Sequence, residues 1–375
     1  MAPQVLDVTA ADDPRDAVHR AVQALVEGQV VALPTETVYI AAASGLVEKA
    51  VSRLLDLREG KYDGPATLAV RSLDEVLDYV PRLPIVGQRL ARRCWPGPVT
   101  IQIADDHPDS AVYRLPTSVR NRVVSGGELR LRVPAHELTL RILRLMAGPI
   151  VMIGARRAQD EDAVTAQHVV SRLGRLVDVV IDDGRCKFAQ RSSIVRVDDA
   201  GFSIVRAGVL SEANLKRLAS LMVVFVCTGN TCRSPMAEAL LKKRIADRLK
   251  CELSELEDRG IVVASAGISA APGGRSATEA MQALGERGLD LSQHESQPLS
   301  ERLVRFADVI LAMTRGHREA ILNQWPEAEG RVHLISRGTG DVSDPIGGPL
   351  DQYRRCAEQL DGFLAAWVDE LPLED

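Results

Sequence analysis

The segment Leu221–Leu241, LMVVFVCTGNTCRSPMAEALL, constrains the fold more than any other part of the chain. Leu221–Cys227 is apolar without alternation, the pattern of a strand buried on both faces. Such a strand needs parallel neighbours and helices over both faces of its sheet. A tight polar turn follows, in which Gly229 and Asn230 tolerate left-handed backbone. Ser234-Pro235 then opens a helical run, because proline has no N–H to lose at a helix start. Strand, turn and helix in that order predict a loop whose backbone N–H groups and helix N-terminus converge on one point, where an anion fits.

The same alternation runs through the rest of the chain. GIVVASAG, DVILAM and VHLIS read as strands after residue 221, with SATEAMQALGERG and QYRRCAEQLDGFLAAWVDEL as helices. Earlier, VVALP and PVTIQIA read as strands, DEVLDYV and ELTLRILRLM as helices, and RSSIVRV with IVRAG as a strand pair. At 375 residues the chain is too long for one ordinary core. Two α/β domains with mostly parallel sheets are expected, 1–212 and 221–375, joined by the short helix SEANLKRLAS.

The net charge of −5 argues against broad, sequence-independent nucleic-acid binding. Six scattered cysteines are not a disulfide framework. The start, MAPQVLDVTAADDPRD, lacks the basic and apolar regions of a signal peptide, and no apolar run is long enough to cross a membrane. A cytoplasmic protein with reduced thiols is expected, its oligomeric state left open.

Two side chains make the turn chemical. Cys227 sits where converging N–H groups stabilise a thiolate. Arg233 can return a planar guanidinium to hold two phosphoryl oxygens. Ser234 can donate to the Cys227 sulfur, and Asp344, in GDVSDPIGG, is the candidate proton donor. The reaction these residues suggest is attack of Cys227 on phosphorus with Asp344 protonating the leaving atom, then hydrolysis of the cysteinyl-phosphate with Asp344 as base. Thr228, Gly229, Asn230, Thr231, Cys232 and Ser234 complete the phosphate- and substrate-binding loop. Cys232 is a candidate redox partner for Cys227. No cofactor is needed, and no histidine lies close enough in sequence to suggest a metal site.

These motifs, with SAGISA after the second strand and the late Asp-Pro loop, resemble the low-molecular-weight protein-tyrosine phosphatases from about Met222 to the C-terminus. The resemblance implies a small doubly wound parallel sheet, with the site at the carboxyl end of its first strand, and a phosphorylated protein as substrate. Phosphotyrosine enzymes of the family carry a larger aliphatic residue where this chain has Thr231. The bacterial protein-arginine phosphatases look similar, with the same CTGNTCRSPMAE run, so phosphoarginine stands beside phosphotyrosine. Their Asp-Pro loop has an aromatic residue where this chain has Ile346.

The N-terminal part resembles the YrdC-like threonylcarbamoyl-AMP synthases, through PTETVY, WPGPVT and RVP. The resemblance implies a twisted α/β sheet with a basic concave face. It also implies ATP (with Mg), threonine and bicarbonate as ligands if the domain is active, and tRNA or double-stranded RNA as a partner. Carried over, the ligand-binding residues would be Thr35, Arg58, Lys61, Arg132, Ser193 and Arg206. Three positions depart from the family pattern. Gly60 stands where its Lys-x-Arg pair has a cation, Arg156 replaces the asparagine of a Ser-Ala-Asn turn, and Ile40 replaces a glycine after PTETVY. The expectation is a synthase-like domain whose catalysis is lost or changed, against the alternatives of a bifunctional enzyme and of a module that binds nucleotide or RNA without turnover.

Overall fold

The computed structural model describes residues 2–9, 13–57 and 64–373, and the chain divides into two compact units, Met1–Leu218 and Ala219–Asp375. The first is built on an eleven-stranded sheet. Ile40–Ser44 lies in its middle, antiparallel to both Val31–Leu33 and Ile150–Gly154. Thr67–Ala69 carries the sheet on to Glu128–Arg132, Val99–Ala104 and Ser193–Asp198. Gln4–Asp7 runs parallel to Val179–Asp182 at one edge, and Gly201–Arg206 closes the other as an antiparallel hairpin with Ser193–Asp198.

This sheet is mixed, not mostly parallel as the alternation of elements suggested. A parallel crossover takes a dozen or more residues. The connection Pro34–Tyr39 is too short for one, and Asp199-Ala200 is shorter still, so in both places the chain turns back on itself. The helix Pro14–Val26 packs on this sheet through Ala17, Val18, Ala21, Ala24 and Leu25, the spacing of one helical face. Asp13 caps it, accepting from the amide of Arg15.

The second unit holds four parallel strands in the order Ile261–Gly267, Leu221–Cys227, Val309–Ala312, Val332–Leu334. Leu221–Cys227 is therefore an inner strand, which is why it can afford no polar residue. Its side chains alternate between two cores. Val223, Phe225 and Cys227 face the helices Arg233–Leu249 and Leu350–Glu370, while Val224 and Val226 face Ile310 and Ile321. The strand order reverses direction at this first strand, and in open α/β sheets the crevice at such a point, beyond the carboxyl ends, is where ligands bind.

The helix after the turn begins at Arg233, one residue before the expected start, with Cys232 in the capping position. Pro235 is thus the third helical residue, tolerated because the first turn's N–H groups have no partners within the helix.

Candidate active site

Cys227 ends the inner strand, buried, with its carbonyl accepting from the amide of Ile268 at 3.0 Å. Its sulfur accepts from the Asn230 amide at 3.2 Å and lies 2.9 Å from Ser234 Oγ. Asn230 has a φ of +56°, the left-handed bend that turns its N–H inward. The loop also needs Gly267 on the neighbouring strand. A Cβ there would stand 2.4 Å from the Thr228 carbonyl oxygen, so only glycine lets the two chain segments approach.

A buried chain of hydrogen bonds sets the direction of the proton on Ser234. Glu238 can only accept, and it takes the Ser265 hydroxyl at 2.7 Å. Ser265 Oγ in turn accepts from Asn230 Nδ2 at 2.9 Å, and the same amide nitrogen donates to Ser234 Oγ at 2.9 Å. The Ser234 proton then points to the sulfur, its nearest acceptor. The backbone N–H of Gln297 donates to Asn230 Oδ1 at 2.9 Å, which fixes the orientation of the amide.

Arg233 is almost wholly buried. One nitrogen, Nη2, donates to Asp344 Oδ2 at 2.5 Å, and Nη1 donates to the Val342 carbonyl at 3.1 Å. Its Nε is buried and has no hydrogen-bond partner among the described residues. A buried guanidinium N–H left open is a place for an oxyanion. Asp344 reaches the same point from its exposed loop, where Ile346 is 68% exposed. The six cysteines are free thiols, and burial pushes Cys232 up, so it rests protonated beside Tyr353.

Cys227, Arg233 and Ser234, from one strand–turn–helix unit, thus meet Asp344, from a loop more than a hundred residues on, at the carboxyl end of the inner strand. Two histidines that the spacing of residues gave no reason to place here also belong to the site. His294 Nε2 lies 2.8 Å from the Asn230 carbonyl oxygen, and His317 Nε2 lies 2.9 Å from Thr228 Oγ1. Ser265, Glu238 and Gln297 were missed as well. Only the position of SAGISA after the second strand hinted at Ser265.

In the N-terminal unit the three motifs meet at one side chain. Arg132, of RVP, donates through Nη2 to Glu36 and Thr37 of PTETVY, at 2.6 and 3.0 Å, and through Nε to the Gly97 carbonyl of WPGPVT at 3.1 Å. Glu36 also accepts from the Ala135 amide, so both oxygens of this buried carboxylate have a donor. Beside it lies a cavity of about 260 Å³ lined by Arg130, Arg132, Arg156, Arg157, Arg191 and Arg206, with Asp162 as the acid among its lining residues.

Arg132 and Arg206 therefore line the cavity. Thr35 and Ser193 turn away from it. The Thr35 hydroxyl donates to the Val38 carbonyl at 2.6 Å, and that of Ser193 to the Leu210 carbonyl at 3.0 Å. Arg58 and Lys61 lie outside the described residues. Arg156 folds back on its own loop, donating to the carbonyls of Arg157, Ala158 and Asp160 and pairing with Asp162, which Arg191 also holds.

The second unit is a phosphoric monoester hydrolase. Residues 222–374 match the family described as low molecular weight phosphotyrosine protein phosphatase, and the chain belongs to that family. The protein-arginine-phosphatase of Bacillus subtilis (strain 168) is 39% identical over 153 residues, covering 40% of this chain and 95% of that protein.

Residues 23–208 match the Sua5/YciO/YrdC family, described as telomere recombination, and form a domain of that type. The threonylcarbamoyl-AMP synthase of Pyrococcus abyssi is 26% identical over 245 residues, covering 61% of this chain and 69% of that protein. A solved structure of a Sua5 variant from the same organism shares the fold, with a TM-score of 0.50 at 20% identity over 70% of this chain and 90% of that one. No helix among the described residues is long and apolar enough to cross a membrane.

Proposed function

We propose that the phosphatase unit removes phosphate from phosphoarginine in proteins through a cysteinyl-phosphate. The observation that carries this reading is the convergence of a donor-surrounded sulfur, an open buried guanidinium N–H and a carboxyl group on one point. An arriving phosphoryl group takes over Arg233, which releases Asp344 from its ion pair. The Cys227 sulfur then forms a bond to phosphorus, its proton passing to the freed Asp344 carboxylate, while the bond to the leaving nitrogen breaks and Asp344 gives that nitrogen the proton. In the second step Asp344 takes a proton from water as the water oxygen attacks phosphorus, releasing phosphate and the thiolate. Ser234, whose proton points at the sulfur, stabilises the departing anion.

Thr231 favours phosphoarginine over phosphotyrosine. A guanidino group brings N–H donors and needs acceptors, whereas a phenyl ring needs an apolar wall, and Thr231 Oγ1 is an acceptor at the loop. The B. subtilis relative named protein-arginine-phosphatase supports the same choice. Wild type is expected to hydrolyse a phosphoarginine protein with a higher kcat/KM than a phosphotyrosine peptide. Thr231→Ile is expected to lower that ratio about tenfold or more. A wild-type preference for phosphotyrosine would sink the choice.

For the N-terminal unit we infer binding of a nucleotide polyphosphate without turnover. Six guanidinium groups against one lining carboxylate suit a multiply charged anion. At Arg156, where the family has an asparagine, the side chain offers donors only, and the neighbouring Asp162 carboxylate is already held by Arg156 and Arg191, so the residues present do not fit carbamoyl-adenylate chemistry. The full chain is expected to bind ATP saturably and to release no pyrophosphate when threonine and bicarbonate are supplied. Pyrophosphate release that requires both would overturn this.

A further inference from the structure

The phosphate loop holds one hydroxyl proton for which no acceptor stands among the described residues, and the group that aims it lies outside the motifs in the sequence. Thr314 caps the helix Arg315–Gln324, its Oγ1 accepting from the His317 amide at 3.2 Å. The same oxygen lies 2.9 Å from His317 Nδ1. Thr314 has one hydroxyl proton, and among the described residues Nδ1 is the acceptor within reach. A ring nitrogen that accepts there leaves the ring proton on Nε2.

Nε2 therefore donates to Thr228 Oγ1, at 2.9 Å. Arg233 Nη2, which can only donate, approaches the same oxygen at 3.5 Å. With two donors on its oxygen, Thr228 must send its own proton elsewhere, and no acceptor among the described residues meets it. Thr228 is exposed at the loop, next to the nucleophile and beside the guanidinium. His317 itself is buried. Burial first, and then the Arg233 charge, push its pKa down to about 4 against the opposing pull of Asp344 and Asp341, so the ring is neutral at ordinary pH.

We propose that His317 is a positioning residue that holds the Thr228 hydroxyl as a hydrogen-bond donor to the phosphoryl group in the anion site. The role rests on the phosphatase reading of the loop and adds a donor to the backbone amides and Arg233. Because the donor faces the phosphoryl group, it acts on every substrate and on free phosphate alike. It is separate from the selection of the leaving group at Thr231.

The first test is the tautomer. Nitrogen NMR of the full chain labelled in histidine is expected to show His317 protonated on Nε2 at neutral pH, and protonation on Nδ1 would overturn the proposal. The second is inorganic phosphate titrated calorimetrically into full-chain variants. Thr228→Val and His317→Leu are each expected to weaken binding about tenfold, the loss of one hydrogen bond to a charged acceptor. The double variant is expected to bind no more weakly than Thr228→Val alone, since both changes remove the same contact. His317→Gln, whose amide can present an N–H where Nε2 stands, is expected to recover most of the affinity.

Unchanged affinity in Thr228→Val, or full additivity in the double variant, would overturn the role. If His317→Leu does not fold, the tautomer and Thr228→Val still decide it. A chain that shows this binding pattern but hydrolyses no phosphoester would defeat the phosphatase reading and leave the anion donor standing.

Discussion

A Cys227→Ser chain is expected to hydrolyse p-nitrophenyl phosphate and phosphoarginine protein roughly ten-thousandfold more slowly than wild type. The loop is arranged to favour an anion at position 227, with the Asn230 amide and the Ser234 hydroxyl both donating to it. Sulfur is a far stronger nucleophile than a hydroxyl oxygen, and a serine at this position would need a base to activate it. The amides, Arg233 and Thr228 are untouched by the change, so inorganic phosphate is expected to bind with similar affinity. Steady-state turnover and phosphate calorimetry on the same preparation check both halves. Turnover that survives the substitution would remove the cysteinyl-phosphate from the mechanism. Loss of phosphate binding together with turnover would mean only that the loop had collapsed.

Asp344→Asn is expected to lower kcat/KM for a phosphoarginine protein by about 10²–10⁴ and kcat/KM for p-nitrophenyl phosphate by much less. The difference comes from the leaving group. A guanidine cannot depart as its anion and needs a proton in the transition state, while p-nitrophenolate leaves unaided. Asparagine keeps the shape of Asp344 but cannot supply that proton. Its carboxamide also loses the ion pair with Arg233, so substrate no longer competes with a carboxylate for the guanidinium. KM is therefore expected to fall or hold while kcat drops. Water attack on the cysteinyl-phosphate also loses its base, so p-nitrophenol should appear as a burst of one equivalent before the slow steady rate. Equal losses for the two substrates would take Asp344 out of the leaving-group role.

The candidate site was legible where its parts lie close together in the chain. Cys227, Arg233 and Ser234 sit on one strand–turn–helix unit, where local propensity and the run of apolar residues agree. Asp344 was legible from its Asp-Pro turn, although only folding brings it within 2.5 Å of Arg233. His317 and His294 carried no such mark. His317 lies on the helix Arg315–Gln324 and His294 in a loop, and neither stands in a motif with the loop it serves. In the N-terminal unit PTETVY, WPGPVT and RVP were visible as motifs, yet nothing in their spacing showed that Arg132 would join all three. The mixed sheet was missed because element alternation does not report strand direction. Connection length does, and the short turns at Pro34–Tyr39 and Asp199-Ala200 decided it.

What the sequence determined by itself was short-range order: a cysteine at the end of an apolar strand, an arginine six residues on, and the alternation of strands and helices. What only the tertiary structure decided was the direction of protons. Whether Ser234 donates to sulfur depends on Glu238 through Ser265 and Asn230, and whether Thr228 donates outward depends on Thr314 through His317. A hydroxyl can give or take, so its role is set by partners that accept only or donate only, and those partners are brought to it by packing from remote parts of the chain.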